Sequence, residues 1–205
     1  MENQRPENLA TPEAFQRDPQ LVWEWYNFRR DKVRQHAPNP GHLALAQMEK
    51  HFKNFSLITQ NVDGYHARAG SKQICELHGN IMVSRCSQCG HTCNAGEENW
   101  RETLPYCNCG ALYRPGVVWF GEALPPVILQ RAFAAAEQAQ VFLAIGTSAV
   151  VYPAAALPQV AAEHGAYLVE VNPEATPLTS LVNEFLQGRA GEILPVLVNR
   201  IQQVL

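Results

Sequence analysis

The order of apolar and polar positions along the chain predicts strands that alternate with helices. Mostly apolar runs of strand length occupy residues 55–59 and 167–171, and a continuous apolar run occupies residues 141–145. Five segments with helical periodicity lie before, between and after these runs. They extend over about Pro19 to Gln35, Gly41 to Lys53, just after Pro126 to about Gln140, Ala154 to His164, and Gly191 to the C-terminus. This alternation is typical of an α/β fold with a parallel sheet, in which we expect residues 141–145 to form a central strand.

Small polar residues follow each of the three predicted strands. Gln60, Asn61 and Asp63 follow the first, Gly146-Thr147-Ser148 the second, and Asn172 the third. Because the carboxyl ends of parallel strands meet at one edge of a sheet, this edge is where an α/β fold binds a nucleotide. Two histidines, His66 and His78, lie close behind the first strand.

Cysteines cluster in a segment of different character, residues 80–115. Cys86 and Cys89 form one knuckle, and Cys107 and Cys109 form a second pair. This spacing predicts a four-cysteine zinc ribbon, which is structural because four thiolates leave no open position for water. One residue between Cys107 and Cys109 is an irregular spacing, so Cys93 stays open as a replacement for one of them.

Composition and charge exclude several classes of protein. The chain has 205 residues, of which 46% are hydrophobic, and a net charge of −3. No basic stripe indicates nucleic-acid binding, and no apolar run of membrane-spanning length or signal peptide is present. We therefore expect a cytoplasmic protein, a monomer, with no nucleic-acid or membrane partner.

Tyr26 and Arg29 lie three residues apart on the first long helix and therefore project from the same side. From spacing alone, the pair indicates an arginine stacked on a tyrosine at the surface.

A series of motifs resembles, in order and spacing, the sirtuin family of NAD-dependent protein deacylases. They are TQNVDGYH, ELHG, CSQCG, RPGVVWFGE, IGTSAVVYPAA, VNPE and GRAGEILP. The resemblance extends from about Leu9 to the C-terminus. LATPEAF and VWEWYNFRR resemble the class III members, the desuccinylases and demalonylases that include bacterial forms.

The resemblance implies a Rossmann-like domain over residues 1–79 and 116–205, with a helical segment at 19–53, and a zinc-binding module over 80–115. It implies NAD and Zn²⁺ as cofactors and acylated-lysine proteins as substrates. Succinyl or malonyl groups, with acetyl possible, would be removed to give nicotinamide and O-acyl-ADP-ribose. The zinc ligands would be Cys86, Cys89, Cys107 and Cys109.

The resemblance also implies roles for single residues. His78 would be the general base, a task that suits histidine because its pKa is close to operating pH. Contacts to NAD are implied for Gln60, Asn61, Val62, Asp63, Gly146, Thr147, Ser148, Asn172, Pro173, Glu174 and Ala190. We expect Gly146 to Ser148 to bind phosphate and ribose through N–H groups at a helix entry.

Substrate contacts follow from the same resemblance. The peptide would add as a strand along Val117, Val118, Trp119 and Phe120, which belong to a short β-type segment at 117–122. Tyr26 and Arg29 match the class III pair that holds the distal carboxylate of the acyl group. A guanidinium binds a carboxylate bidentately and a phenol adds a further donor.

The chain departs from the family pattern at its start. Sirtuins begin with a strand and a Gly-rich loop that holds the NAD pyrophosphate, and no such loop occurs upstream of Thr59. Two explanations stay open: a start placed late, at an internal Met, and a true truncation. A truncated chain would be a catalytically weak or inactive, zinc-stabilised peptide-binding module.

Overall fold

The computed structural model describes residues 5–96 and 103–204. The α-helices are α1 Pro6–Leu9, α2 Pro12–Arg17, α3 Pro19–Gln35, α4 Pro40–Met48, α5 Tyr65–Ala69, α6 Pro126–Glu137, α7 Leu157–Glu163 and α8 Ala190–Val204. A short 3-10 helix, Ala154–Ala156, precedes α7. The β-strands are β1 Leu57–Thr59, β2 Ile74–Glu76, β3 Gly79–Cys86, β4 Thr92–Asn94, β5 Tyr113–Val117, β6 Val141–Ile145, β7 Tyr167–Asn172 and β8 Glu184–Gln187.

Parallel pairing dominates the strands that carry the predicted nucleotide edge. β1 pairs with β2, and β6, β7 and β8 form a second parallel sheet in that order. The expectation of parallel strands in an α/β fold is therefore confirmed. The expectation that β6 is a central strand is wrong for the described strands, because β6 is hydrogen-bonded only to β7 and lies at an edge. Val141 at its start is accordingly 55% exposed.

Capping residues account for the helix starts. Asp18 accepts a hydrogen bond from the Leu21 N–H at 2.9 Å, and α3 spans the predicted residues. Asn39 and His42 form a reciprocal capping box at the start of α4. This helix ends at Met48, five residues short of the predicted end at Lys53.

The predicted β-type segment at 117–122 is mostly not a strand. Strand β5 begins earlier, at Tyr113, and ends at Val117. A turn follows, because the Glu122 N–H donates to the Trp119 carbonyl and the Trp119 N–H donates to the Glu122 carboxylate. Of the four residues predicted to pair with a peptide, only Val117 is in a strand.

The chain groups into two compact units. The first unit contains residues 1–37, 61–64 and 78–124, and its sheet is antiparallel, with β3 between β4 and β5. Its core includes Trp23, which is fully buried and donates through Nε1 to the Tyr113 carbonyl at 3.0 Å. Buried Arg30 donates to the carbonyls of Ile81 and Val83 and so joins α3 to β3.

The second unit contains residues 38–60, 65–77 and 125–205 and carries the parallel strands. One core of this unit lies between α4, α8 and β7, where Met48, Val171, Leu194 and Val198 are buried. No helix in the described ranges combines the length and the apolar character needed to cross a membrane. The predicted domain boundaries stay a prediction: a Rossmann-like domain over residues 1–79 and 116–205, and a zinc-binding module over residues 80–115.

Candidate functional site

In the first unit, the loop that carries Asn61 and Asp63 is fixed by the start of β3. The Ile81 N–H donates to the Val62 carbonyl at 2.7 Å. The side chain of Asn80 lies against Gly64, whose φ of 71° is a conformation that favours glycine. Asn61 is exposed and Asp63 half-buried, so both side chains are accessible.

His78 sits beside the end of β5. Its carbonyl accepts a hydrogen bond from the Val118 N–H at 2.9 Å. The next residue, Gly79, has a φ of 75°, and a Cβ there would lie 2.2 Å from the Gly116 carbonyl oxygen. Only glycine fits this approach of two backbones, which brings the predicted base next to the predicted peptide-binding residues Val117 and Val118.

Tyr26 and Arg29 form one cluster with Trp119 and Trp25. The stacking of the arginine on the tyrosine is present, but the expectation of a pair at the surface is wrong, because Tyr26 is 1% exposed and Arg29 is half-buried. Trp119 donates through Nε1 to the Tyr26 hydroxyl at 2.9 Å. The guanidinium carbon of Arg29 lies 4.7 Å from the Trp25 ring centroid and 5.7 Å from that of Tyr26. Burial raises the pKa of Tyr26 to about 12, although the Trp119 hydrogen bond and the Arg29 charge act in the opposite direction. Tyr26 therefore keeps its proton at neutral pH.

An ion pair that the sequence reasoning missed fixes the turn after β5. Arg114 pairs with Glu122 through both guanidinium nitrogens, with Nη2 2.8 Å from Oε2, and Nη2 also donates to the Val117 carbonyl. The guanidinium stacks on the Trp119 ring at 3.4 Å. Burial acts to raise the pKa of Glu122, but hydrogen bonds from Arg114 and Trp119 outweigh it and lower the pKa. The signal available in the sequence was an arginine and a glutamate at the two ends of the RPGVVWFGE motif.

Phe120 and Trp119 differ in accessibility. Trp119 is buried in the core, whereas Phe120 is 56% exposed and donates through its N–H to the Ala10 carbonyl.

In the second unit, the structure brings the ends of β6 and β7 together. The Gly146 N–H donates to the Val171 carbonyl, and the Asn172 side chain donates to the Thr147 carbonyl at 2.9 Å. The expectation of a helix entry at Gly146 to Ser148 is wrong. The 3-10 helix begins only at Ala154, so these residues lie in the loop that follows β6.

The remaining predicted contacts of the second unit lie on strand ends and on α8. Gln60 follows β1 and is half-buried, Ala190 begins α8 and is half-buried, and Pro173 and Glu174 follow β7 and are exposed.

Glu170 supports this part of the chain, and sequence reasoning missed it. Its carboxylate is 1% exposed and accepts hydrogen bonds from the hydroxyls of Thr176 and Thr179. These bonds anchor the segment that follows Asn172 and includes Glu174. The signal in the sequence was a carboxylate inside an otherwise apolar strand.

The predicted zinc ligands come together at the ends of β3 and β5. The four sulfur atoms lie within 4.8 Å of one another, and they belong to Cys86, Cys89, Cys107 and Cys109. The Sγ atoms of Cys86 and Cys109 are 3.4 Å apart and those of Cys89 and Cys107 are 3.7 Å apart. Zinc with bonds of about 2.3 Å to a tetrahedron of sulfurs requires S···S distances of about 3.8 Å. The four cysteines therefore fit a zinc ion, and Cys93 is not in the group.

Backbone amides prepare Cys86 for metal binding. The N–H groups of Gln88 and Cys89 point at its Sγ from 3.5 and 3.4 Å. Burial acts to raise the pKa of this thiol, but these donors outweigh it and lower the pKa to about 6. A thiolate is the form that binds a metal.

Comparisons with known proteins agree with this architecture. The family model described as the Sir2 family matches residues 1–153, about three quarters of the chain. The chain belongs to the Sir2 family. The predicted membership of the sirtuins and the predicted Rossmann-like α/β fold are thereby confirmed.

Similar members of the family come from bacteria and archaea. An NAD-dependent protein deacylase of Aquifex aeolicus is 54% identical over 188 residues, which are 91% of this chain and 79% of the relative. One of Pyrococcus furiosus is 49% identical over 98% of this chain and 82% of its own.

Solved structures of the family superimpose closely on this chain. A Sir2 homologue in complex with NAD has a TM-score of 0.93 at 45% identity, with 98% of this chain and 79% of that chain covered. A complex of Sir2 with a p53 peptide and NAD⁺ has a TM-score of 0.88 at 30% identity, with 98% and 86% covered.

Proposed function

We propose that the protein removes acyl groups from protein lysines in an NAD-dependent reaction that yields nicotinamide and O-acyl-ADP-ribose. The proposal rests on the position of His78. Its carbonyl is hydrogen-bonded to the Val118 N–H, and the strand that follows it is hydrogen-bonded to the loop of Asn61 and Asp63. Sir2 relatives with about half of their residues identical are named NAD-dependent protein deacylases.

Each set of residues has a part in the proposed reaction. Bound NAD supplies the ribose carbon that receives the acyl oxygen, with nicotinamide as the leaving group. In the first unit, we assign the nicotinamide end to Asn61, Val62 and Asp63, whose amide and carboxylate groups match a carboxamide. In the second unit, we assign the phosphates, ribose and adenosine to the predicted residues Gln60, Gly146, Thr147, Ser148, Asn172, Pro173, Glu174 and Ala190.

His78 accepts a proton from a ribose hydroxyl at a ring nitrogen, which a neutral imidazole can do near pH 7. The four cysteines hold zinc, which cross-links the ribbon and takes no part in the chemistry because the thiolates fill its coordination sphere. The substrate peptide runs along Val117 to Phe120.

The function is tested by nicotinamide release from NAD with a succinyl-lysine peptide. His78→Ala should lower kcat/KM at least about a hundredfold, because general-base catalysis typically contributes 10²- to 10⁴-fold. His164→Ala is the matched control, since this exposed histidine bonds only to its own helix. Turnover that survives in His78→Ala would remove the histidine from the mechanism. Absence of turnover in the unaltered chain, with peptide binding retained, would favour the zinc-stabilised binding module.

We further propose that succinyl, malonyl or similar acidic acyl groups are preferred over acetyl. The Trp119 indole can only donate, so the Tyr26 oxygen accepts and its O–H remains to donate to a ligand. Arg29 forms no ion pair within residues 5–96 and 103–204, so its charge is not neutralised by a carboxylate there. The phenol O–H and the guanidinium can both donate to the carboxylate of an acidic acyl group. An acetyl group has no carboxylate and would leave both donors unpaired.

The acyl preference is tested with Arg29→Met, which keeps the length of the side chain and removes its charge. We expect kcat/KM for a succinyl-lysine peptide to fall about 100-fold, as for a lost charged hydrogen bond, and that for the acetyl peptide to stay within a few fold. Arg34→Met, on the same helix but exposed and paired with Asp31, is the control. Equal losses on both peptides would show that Arg29 supports the fold rather than the acyl group.

A further inference from the structure

A tyrosine and a histidine lie beside the cysteine cluster of the first unit. Tyr113, on β5, is opposite Cys86 of β3 in the sheet register and is 8% exposed. Its hydroxyl is 2.7 Å from Nδ1 of His91, which lies between β3 and β4. The same hydroxyl is hydrogen-bonded to the side chain of Cys107, one of the four clustered cysteines. The proposed reaction uses neither Tyr113 nor His91.

The hydroxyl of Tyr113 has one proton to donate, while its oxygen can accept further hydrogen bonds. The interaction with Cys107 raises the pKa of Tyr113 and burial raises it further, so the phenol keeps its proton. A metal-bound thiolate is negatively charged and can only accept, and hydrogen bonds to charged acceptors are the stronger ones. The proton of Tyr113 therefore points to Cys107, and Nδ1 of His91 donates to the phenol oxygen.

Cys93 is a second sulfur next to this hydroxyl. It does not belong to the group of four sulfur atoms that lie within 4.8 Å of one another. As a neutral thiol, Cys93 is a weaker acceptor than a metal-bound thiolate, and its S–H can donate to the phenol oxygen. Cys93 therefore does not compete with Cys107 for the proton of Tyr113.

Hydrogen-bond donors matter at this site because four thiolates carry more negative charge than one Zn²⁺ neutralises. The backbone N–H of Cys109 lowers the pKa of Cys107, and the hydroxyl of Tyr113 acts in the same direction. The backbone N–H of His91 is hydrogen-bonded to the thiol of Cys89. His91 thus supports two of the clustered cysteines, Cys89 directly and Cys107 through Tyr113.

We propose that Tyr113 is a positioning residue of the zinc site, whose O–H donates to the thiolate of Cys107 while Nδ1 of His91 holds the hydroxyl in that orientation. Groups that hydrogen-bond to metal ligands orient them, and the loss of one typically lowers metal affinity by about 10- to 100-fold. The inference concerns metal binding alone and does not depend on deacylase activity.

Competition for zinc with a chelator of known affinity tests this role. We expect Tyr113→Phe, which deletes only the hydroxyl, to raise the Kd for zinc about tenfold or more. Tyr106→Phe makes the same change at a tyrosine that precedes Cys107 and is 64% exposed, so it should alter the Kd by less than about twofold. Equal zinc affinities of the two variants would overturn the proposal.

The absorption spectrum of the cobalt-substituted protein separates a hydrogen bond to sulfur from a general loss of stability. A donor lowers the energy of the thiolate electrons, so its removal in Tyr113→Phe should shift the thiolate-to-cobalt charge-transfer band to longer wavelength. The band of Tyr106→Phe should stay in place. An unshifted band in Tyr113→Phe, whatever its affinity for zinc, would show that the hydroxyl does not bond to a metal ligand.

A double-mutant cycle tests the part of His91. His91→Leu removes the side-chain donor and should weaken zinc binding, but it should cause no further loss in Tyr113→Phe, because His91 acts through the hydroxyl. His91→Asn keeps an N–H donor near the position of Nδ1 and should bind zinc nearly as the unaltered protein does. Additive losses from His91→Leu and Tyr113→Phe would show that the histidine acts independently and that the assigned orientation is wrong.

Discussion

At the scale of single residues, the polar groups around Trp119 are arranged so that each has a defined role. The indole N–H is used by Tyr26, the backbone N–H of Trp119 by Glu122, and the ring face by Arg114. Because both N–H groups of Trp119 have acceptors, the residue holds the helix α3 side and the β5 side of the first unit together. The orientation of the Tyr26 hydroxyl, on which the acyl proposal depends, follows from this packing.

The ion pair of Arg114 and Glu122 predicts how stability depends on pH. The pKa of Glu122 in the folded protein lies below the ordinary value for a glutamate. The stabilisation by the ion pair is therefore complete at a pH above the ordinary pKa. It disappears as the pH falls through the pKa of the folded protein. Glu122→Gln should lower the free energy of unfolding by about 2 kcal/mol at pH 7, because it leaves Arg114 without a charged partner. Urea denaturation should show the two proteins converging as pH is lowered below about 4.5.

Glu137→Gln removes an exposed carboxylate from α6 and is the control, which should change the free energy of unfolding by less than about 0.5 kcal/mol at pH 7. A difference between Glu122→Gln and the unaltered protein that stays constant from pH 7 to pH 3 would mean that the glutamate acts through packing rather than through its charge.

At the scale of elements, the sequence was informative where a local signal decides the structure. Asp18, which caps α3 through a residue three positions further on, placed the start of this helix correctly, and the short spacing within each cysteine pair predicted the ribbon. The strand predicted at 117–122 failed because Arg114 and the Trp119 N–H both bond to the Glu122 carboxylate, which folds this segment into a turn. The helix predicted from Ala154 does begin there, as a 3-10 turn that continues into α7, and only the expectation of a helix entry at Gly146 to Ser148 failed.

The candidate site shows the same division between local and distant signals. Resemblance of motifs pointed to His78, but the reason for its fixed position is the contact of Gly79 with Gly116, residues 37 positions apart by their numbers. Glu170 and Arg114 support the site through partners six to nine residues further along the chain, and their signals in the sequence were a carboxylate inside a strand and an arginine at the start of a motif. The partners themselves could be identified only in the folded chain.

At the scale of the whole molecule, the chain consists of two compact units with separate cores. The cysteine cluster belongs to the first unit, where it joins the ends of β3 and β5. The parallel strands β6 and β7 belong to the second unit and contain no member of the cluster. Zinc should therefore stabilise the two units to different degrees.

Removal of zinc with a chelator, followed by hydrogen exchange, measures this difference. Binding of a structural zinc supplies about 10 kcal/mol or more in small zinc domains, so its loss should strongly destabilise the ribbon. We expect the amides of β3 and β5 to lose protection, those of β6 and β7 to keep most of theirs, and zinc to restore the first set. Equal loss of protection in all four strands would show that the units unfold together. Full protection of β3 and β5 without metal would show that the cysteines do not hold the ribbon through zinc.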